Sequence, residues 1–173
     1  NIKDSVNIIN DQKIPKLSTL LREINFKNLT NQEPTLFHGD FILDNIIKIN
    51  DSKFKLIDWR QDFAGNIQLG DMYYDFAKLS HNLVVNHEII DRNLFTVDIH
   101  DENINLNIHR FQKLVDCENL LFKYLYENDY DVNKVKILRA IIWLNMSPLH
   151  HHPFDLFLYY YGKYELANAI KSN

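Results

Sequence analysis

Three polar side chains have types and a spacing that could do chemistry together. They are Asp40, Asn45 and Asp58. Asp40 follows Gly39 in a loop, so it could reach a substrate hydroxyl, orient it and accept its proton. Asn45 and Asp58 offer an amide oxygen and a carboxylate, which are both suitable ligands for Mg²⁺. The ion normally fills its other coordination positions with phosphate oxygens and water. These residues predict a base beside a site for Mg²⁺ and ATP.

A short β-hairpin is the element expected to bring Asn45 and Asp58 together. Residues 45–50 and 53–59 are predicted as strands around the polar pair Asp51-Ser52, which suits a tight turn. If the turn is centred on that pair, Asn45 lies directly opposite Asp58 and their Cβ atoms are about 5 Å apart. Taken singly, each of the three residues also fits a turn or a helix cap. Their joint spacing favours the site.

The rest of the chain is predicted to be mainly helical. Apolar spacing and cap residues predict helices at 15–25, 71–85, 109–127, 132–147 and 154–171, with Asp71 as an N-cap. Alternating apolar residues near 94–108 predict a second hairpin around Asp101-Glu102-Asn103. We find no internal repeat and no obvious linker, so we expect a single α+β domain over residues 1–173.

Two motifs resemble a known family. His38-Gly39-Asp40, followed after four residues by Asn45, resembles the H-x-D-x-x-x-x-N catalytic loop of protein-kinase-like enzymes, and Asp58 stands where those enzymes place a metal-binding Asp. The His-Gly-Asp form resembles the aminoglycoside phosphotransferase and choline kinase family. So does the segment at 70–79, Gly-Asp-Met-Tyr-Tyr-Asp-Phe-Ala-Lys-Leu, which is similar to that family's G-D-x-x-x-D-h-A pattern. The resemblance runs from about residue 14 onward, with recognisable motifs only at 36–79.

This resemblance implies a mainly α-helical C-terminal lobe of a protein-kinase-like fold. It also implies transfer of the γ-phosphoryl group of ATP to a hydroxyl of a small molecule, such as a sugar, an amino-alcohol or an aminoglycoside, with Asp40 as base and Asn45 and Asp58 holding Mg²⁺. Asp75 would accept hydrogen bonds from the backbone of the catalytic loop. His38 would pack and hydrogen-bond beneath that loop, a structural role that we prefer to direct proton transfer.

The sequence also departs from the kinase pattern. Asp58-Trp59-Arg60 stands where protein kinases have Asp-Phe-Gly. Arg60 could contact a phosphate or an acidic substrate group, or it could form a solvated salt bridge. We find neither a glycine-rich phosphate loop nor a V-A-I-K-like strand, and the chain begins without Met. We therefore expect an N-terminal nucleotide-binding lobe outside this sequence, and weak or no activity for this piece alone.

Candidate substrate contacts lie nearer the C-terminus. Trp143 and His150 belong to an aromatic and histidine-rich stretch that could wall a substrate pocket, although its helical spacing fits core packing better. His150, His151 and His152 are expected to form a helix-ending turn rather than a metal site, because adjacent side chains diverge. A fainter resemblance to bacterial proteins of capsule and lipopolysaccharide synthesis implies a sugar or polyol acceptor.

The composition narrows the class of partner. The net charge of −4 lacks the basic excess of a nucleic-acid binder. A single cysteine, Cys117, cannot form an intrachain disulfide, and the sequence has no apolar run of about 20 residues to span a membrane. We expect a cytoplasmic protein whose partner is a small-molecule acceptor. The alternative is a non-catalytic kinase-like binding module, and nucleotidyl transfer has no motif here.

Overall fold

The computed structural model describes residues 2–31 and 33–172. Helices hold about 50% of the residues and strands about 18%, which confirms the predicted α+β class with a mainly helical body. The elements, in chain order, are β1 (Asn7–Ile9), β2 (Gln12–Ile14), α1 (Leu17–Glu23), α2 (Phe26–Thr30), β3 (Ile46–Asn50), β4 (Lys53–Leu56), α3 (Met72–Val84), α4 (His87–Asp91), β5 (Phe95–His100), β6 (Asn103–Ile108), α5 (Gln112–Glu127), α6 (Val132–Met146) and α7 (Phe154–Lys171). Short 3-10 helices cover Leu43–Asn45 and Ser147–Leu149.

The helical body is built on α6, which packs against both α3 and α7. Its buried residues include Ala77 from α3, Ala140 and Trp143 from α6, and Phe157 from α7. Removing these apolar side chains from water is the main force that holds the helices together. Residues 109–127, 132–147 and 154–171 were predicted as helices, and the structure confirms all three with small shifts at their ends. The body thereby gives α3 a rigid support.

A four-stranded sheet covers one side of this body, with strand order β2-β1-β6-β5. The predicted hairpin near 94–108 is confirmed as β5 and β6, paired from Phe95 with Ile108 to His100 with Asn103. The β1–β2 hairpin was not predicted. It completes the sheet because β1 pairs in parallel with β6. Ile9 from β1 and Ile104 from β6 are buried in the core beneath this sheet.

The β3–β4 hairpin is present, but its register differs from the predicted one. Ile46 pairs with Leu56, and the pairing shifts between Lys48 and Asn50. Such a bulge adds a residue to one strand and changes every partner beyond it by one position. Asn45 lies in the preceding 3-10 helix and faces Ile57, whose N–H donates to the Asn45 carbonyl over 3.0 Å. The prediction that Asn45 pairs with Asp58 is therefore wrong. The two predicted strands are present, but the first begins at Ile46 and the second already ends at Leu56.

Helix α3 follows the prediction for residues 71–85 closely. The side chain of Asp71 caps it, because its Oδ1 accepts the N–H of Tyr73 over 2.8 Å. The five-residue helices α2 and α4 were not predicted. In the part of the chain that the structure describes, no helix combines the length and apolar character needed to cross a bilayer.

Candidate active site

The segment that leads to Asp40 lies against the start of α3. Thr35 and Gly70 exchange two backbone hydrogen bonds, of 2.9 and 2.8 Å. Gly70 permits this approach because a Cβ there would lie 2.6 Å from Cγ of Phe37. The first turn of α3 is therefore fixed beside the chain just before His38.

Asp75, in the first turn of α3, holds the loop backbone. Its Oδ2 accepts the N–H of His38 over 2.6 Å, and its Oδ1 accepts the N–H of Gly39 over 2.8 Å. Burial raises the pKa of Asp75 above its usual value, and these two donors oppose the shift because they stabilise the carboxylate. The contacts that the family resemblance implied for Asp75 are present. Its importance for catalysis stays a prediction.

Two further side chains of α3 contact the same loop. Nζ of Lys78 lies 2.6 Å from Oδ1 of Asp40, and Oδ1 of Asn82 accepts the N–H of Leu43 over 3.0 Å. Together with Asp75 they occupy one helix face, since residues three, four and seven apart share a face. The sequence analysis gave Lys78 and Asn82 no role. Their helical spacing from Asp75 was the signal that could have found them.

Asp40 and Asn45 are in direct contact. The Asn45 Nδ2 donates to the Asp40 carbonyl over 2.8 Å and to Asp40 Oδ2 over 3.3 Å. Burial acts to raise the pKa of Asp40, but the hydrogen bond from Lys78 and the charges of Lys78 and Arg60 outweigh it, so the pKa lies below its usual value. Asp40 is therefore ionised at neutral pH and able to accept a hydrogen bond from a hydroxyl.

His38 is buried under the loop. Its Nε2 lies 2.9 Å from the Ile57 carbonyl, and its Nδ1 accepts the N–H of Asp40 over 3.3 Å. A carbonyl can only accept and an N–H can only donate, so these contacts assign a neutral ring with its proton on Nε2. Both nitrogens are engaged, which fits the structural role preferred from the sequence.

Asp58 is positioned by its neighbours rather than by strand pairing. Ile57 is bonded on both sides, to Asn45 and to His38, and the N–H of Arg60 donates to the His38 carbonyl over 2.9 Å. Between these anchors Asp58 has a φ of 57°, in the left-handed region. Its side chain is exposed, and among residues 2–31 and 33–172 its carboxylate has neither a hydrogen bond nor an ion pair.

The side-chain oxygens of Asn45 and Asp58 are of the type that binds a hard cation. Because Asp40 holds the Asn45 Nδ2, the amide oxygen is the free end, and it accepts no hydrogen bond from the described residues. An amide oxygen and an exposed carboxylate suit Mg²⁺. The described part of the chain contains no cluster of three or more His, Cys, Asp or Glu that could hold a metal. An Mg²⁺ held by these two residues would take its other ligands from phosphate and water, and this site stays a prediction.

Arg60 fills the space beside Gly39. Gly39 has a φ of 81°, and a Cβ on it would lie 2.7–2.8 Å from Cβ, Cγ and Cδ of Arg60. The Arg60 guanidinium carbon lies 5.9 Å from the centre of the Tyr74 ring. Within the described ranges Arg60 has no acidic partner, so the expected alternative of a salt bridge is not seen. Contact with a phosphate stays a prediction.

The two candidate substrate contacts near the C-terminus differ. Trp143 is 0% exposed and packs against His81 and Tyr161, so the core packing that the sequence favoured holds for it and the alternative of a substrate contact is not supported. His150 caps the 3-10 helix, as the predicted turn requires, and lines a cavity of about 690 Å³ with residues of α7 and of the first described segment. That cavity is separate from the contacts around Asp40.

Comparison with known proteins gave no match to this chain among family models, curated proteins or solved structures. The resemblance to the aminoglycoside phosphotransferase and choline kinase family therefore depends on the two motifs and on the contacts between them. Those contacts join the His38–Asp40 loop to Asp75 of the second motif by two hydrogen bonds and to Lys78 by an ion pair.

Proposed function

We propose that this chain is the catalytic lobe of an ATP- and Mg²⁺-dependent phosphotransferase that acts on a hydroxyl of a small molecule. The observation that carries the proposal is the environment of Asp40. Its ionised carboxylate is held by Lys78 on one oxygen and approached by Asn45 on the other. The amide oxygen of Asn45 and the exposed carboxylate of Asp58 belong to the segments that flank it.

In this reaction Asp40 would accept a hydrogen bond from the acceptor hydroxyl and take its proton as the new bond to phosphorus forms. A low pKa makes Asp40 a weak base, which suits orienting the hydroxyl better than removing its proton early. Phosphoryl transfer needs mainly positioning and charge neutralisation, so a weak base is sufficient. Asn45 and Asp58 would hold the Mg²⁺, which neutralises phosphate charge.

The residues of the second motif and its surroundings suggest which class of acceptor to test first. The Gly70–Leu79 segment, the nearby His81 and the Pro148-Leu149-His150 turn faintly resemble bacterial proteins of capsule and lipopolysaccharide synthesis. A sugar or related polyol hydroxyl is therefore the first acceptor to test, before amino-alcohols and aminoglycosides. Because ATP is the phosphoryl donor, the proposal places the protein in the cytoplasm.

The test uses the full natural protein that contains this chain. In Asp40→Ala, acceptor-dependent ADP formation should fall by about 10²–10⁴-fold, the usual contribution of a positioned acid or base, while Mg–ATP affinity measured by calorimetry stays within a few-fold. Asp51→Ala is the matched control, because Asp51 is an exposed carboxylate at the turn of the β3–β4 hairpin.

Two results would contradict the proposal. Undiminished turnover in Asp40→Ala would exclude Asp40 as the base. If the wild-type protein bound no nucleotide at any Mg²⁺ concentration, a non-catalytic binding module would explain the fold instead.

A further inference from the structure

Lys78 is a charged residue of the candidate site that has no role yet in the proposed reaction. Its side chain is only 12% exposed, and its Nζ lies 2.6 Å from Oδ1 of Asp40. In the described ranges, Asp40 is the carboxylate with which Lys78 pairs. A buried ammonium needs such compensation, because taking it out of water without a partner is costly.

An acceptor hydroxyl that binds to Asp40 adds a third partner beside Lys78 and Asn45. Lys78 lies against one oxygen of Asp40 and Asn45 approaches the other, while the Asp40 side chain is only 28% exposed. A carboxylate has about four acceptor sites, so a hydroxyl that Asp40 orients can join these contacts or replace one of them. Asn45 is the more firmly held of the two, since its Nδ2 also donates to the Asp40 carbonyl over 2.8 Å. Lys78, on a flexible four-carbon stem, is the residue that can move.

A phosphoryl group in transfer comes close to Lys78. A hydroxyl bonded to Asp40 would lie about 2.7 Å from the carboxylate, and a phosphorus poised for attack about 3–3.5 Å further. The oxygens of that group thus arrive within about 6 Å of the carboxylate that Lys78 now contacts. The lysine side chain has four rotatable carbons, and its ammonium has three N–H donors to offer to those oxygens.

We propose that Lys78 is a further catalytic residue: it leaves Asp40 when the acceptor binds and contacts the oxygens of the transferred phosphoryl group. This inference depends on the proposed function. The acceptor oxygen forms its bond to the γ-phosphorus and gives its proton to Asp40. The bond from that phosphorus to the bridging oxygen breaks, and its electron pair leaves with ADP. Lys78 neutralises charge on the oxygens of the group in transit.

The test compares two changes at Lys78 with one at a matched lysine, all in the full natural protein. Lys78→Met removes the charge but keeps most of the side-chain volume, and Lys78→Arg restores the charge. Lys134→Met is the control, because Lys134 of α6 is also buried. Its Nζ lies 4.2 Å from the ring of Tyr73, which belongs to the same helix as Lys78, and it has no contact with Asp40 among the described residues. Thermal unfolding and far-UV circular dichroism establish that each variant is folded.

The expected result separates kcat from binding. In Lys78→Met, kcat should fall about 10²–10³-fold, as for loss of one donor to transition-state charge. The Kd for Mg–ATP should stay within about threefold, because Lys78 contacts Asp40 until the acceptor binds. The KM for the acceptor should not rise, because its binding no longer has to break the ion pair with Asp40. Lys78→Arg should regain at least about tenfold of the lost kcat, and Lys134→Met should keep the wild-type kcat within about twofold.

Other results would overturn the inference. A folded Lys78→Met protein with wild-type kcat would exclude Lys78 while leaving the proposed function intact. If kcat and Mg–ATP affinity fell together and Lys78→Arg did not recover, Lys78 would have only a structural role in the loop. If Lys78→Met did not fold, an inactive but folded Lys78→Arg would likewise refute the inference. A wild-type protein that transfers no phosphoryl group to any acceptor would overturn the proposed function, and the role of Lys78 with it.

Discussion

Replacing Gly39 with alanine should destabilise the loop that carries Asp40, and part of the loss should depend on Arg60. Gly39 has a φ of 81°, a conformation that costs an alanine about 1–2 kcal/mol. The new Cβ would also lie 2.7–2.8 Å from Cβ, Cγ and Cδ of Arg60, well inside the optimal carbon separation of about 3.5–4.0 Å. Overpacking of this kind typically costs about 1–3 kcal/mol. We expect a total loss of about 2–5 kcal/mol.

Urea denaturation of Gly39→Ala, Arg60→Gly and the double variant measures the two parts separately. In the Arg60→Gly background the overlap is gone, so Gly39→Ala should cost only the conformational part, about 1–2 kcal/mol. Gly65→Ala is the matched control, because Gly65 has a φ of 86° and no atom lies within 4 Å of the position that a Cβ would take there. Equal losses for Gly39→Ala and Gly65→Ala, or strict additivity with Arg60→Gly, would refute this reasoning.

Two further predictions concern residues of α3. Asp75→Ala should lower the free energy of unfolding by about 3–5 kcal/mol, because the backbone N–H groups of His38 and Gly39 lose their carboxylate partner. Hydrogen exchange at both amides should accelerate. Unchanged exchange would contradict the role of Asp75 in holding the loop. Burial lowers the pKa of His81 to about 3, so unfolding, which restores the ordinary value near 6.5, takes up a proton below that pH. The free energy of unfolding should thus fall as the pH drops below 6.5, by up to about 2 kcal/mol at pH 5 from His81 alone. In urea denaturation at several pH values, His81→Gln should reduce this loss. If the loss of stability with pH were unchanged in His81→Gln, His81 would be excluded as its cause.

The elements predicted correctly are those with long local patterns. α5, α6 and α7 each run for 15 residues or more, so their apolar periodicity was readable. β5 and β6 each have six alternating residues. In contrast, β1 and β2 have three residues each, and β1 is fixed by its parallel pairing with β6 far along the chain. Such long-range pairing leaves no local signature in the sequence.

The site shows the same division between local and tertiary information. The contacts that the resemblance implied are present, since Asp75 accepts the N–H of His38 and the His38 ring accepts the N–H of Asp40. The register that placed Asn45 opposite Asp58 was wrong, since a bulge between Lys48 and Asn50 shifts the pairing by one residue, and the turn residues alone did not indicate this bulge.

The roles of Lys78 and Trp143 also depend on tertiary structure. Lys78 was not assigned because its partner, Asp40, lies on a different segment of the chain, so an ion pair between them is invisible to local spacing. For Trp143 the sequence favoured core packing but left a substrate contact open, because a tryptophan can wall a pocket. Its burial between α3 and α7 depends on how three helices pack.

The most direct measurement of the central claim is acceptor-dependent ADP release by the full natural protein across a Mg²⁺ series, for wild type and Asp58→Ala. We predict release that requires Mg²⁺ in the wild type and disappears in Asp58→Ala, because the proposed function makes that carboxylate one of two protein ligands for the cation. Release that is independent of Mg²⁺, or equal in the two proteins, would contradict phosphoryl transfer at this site.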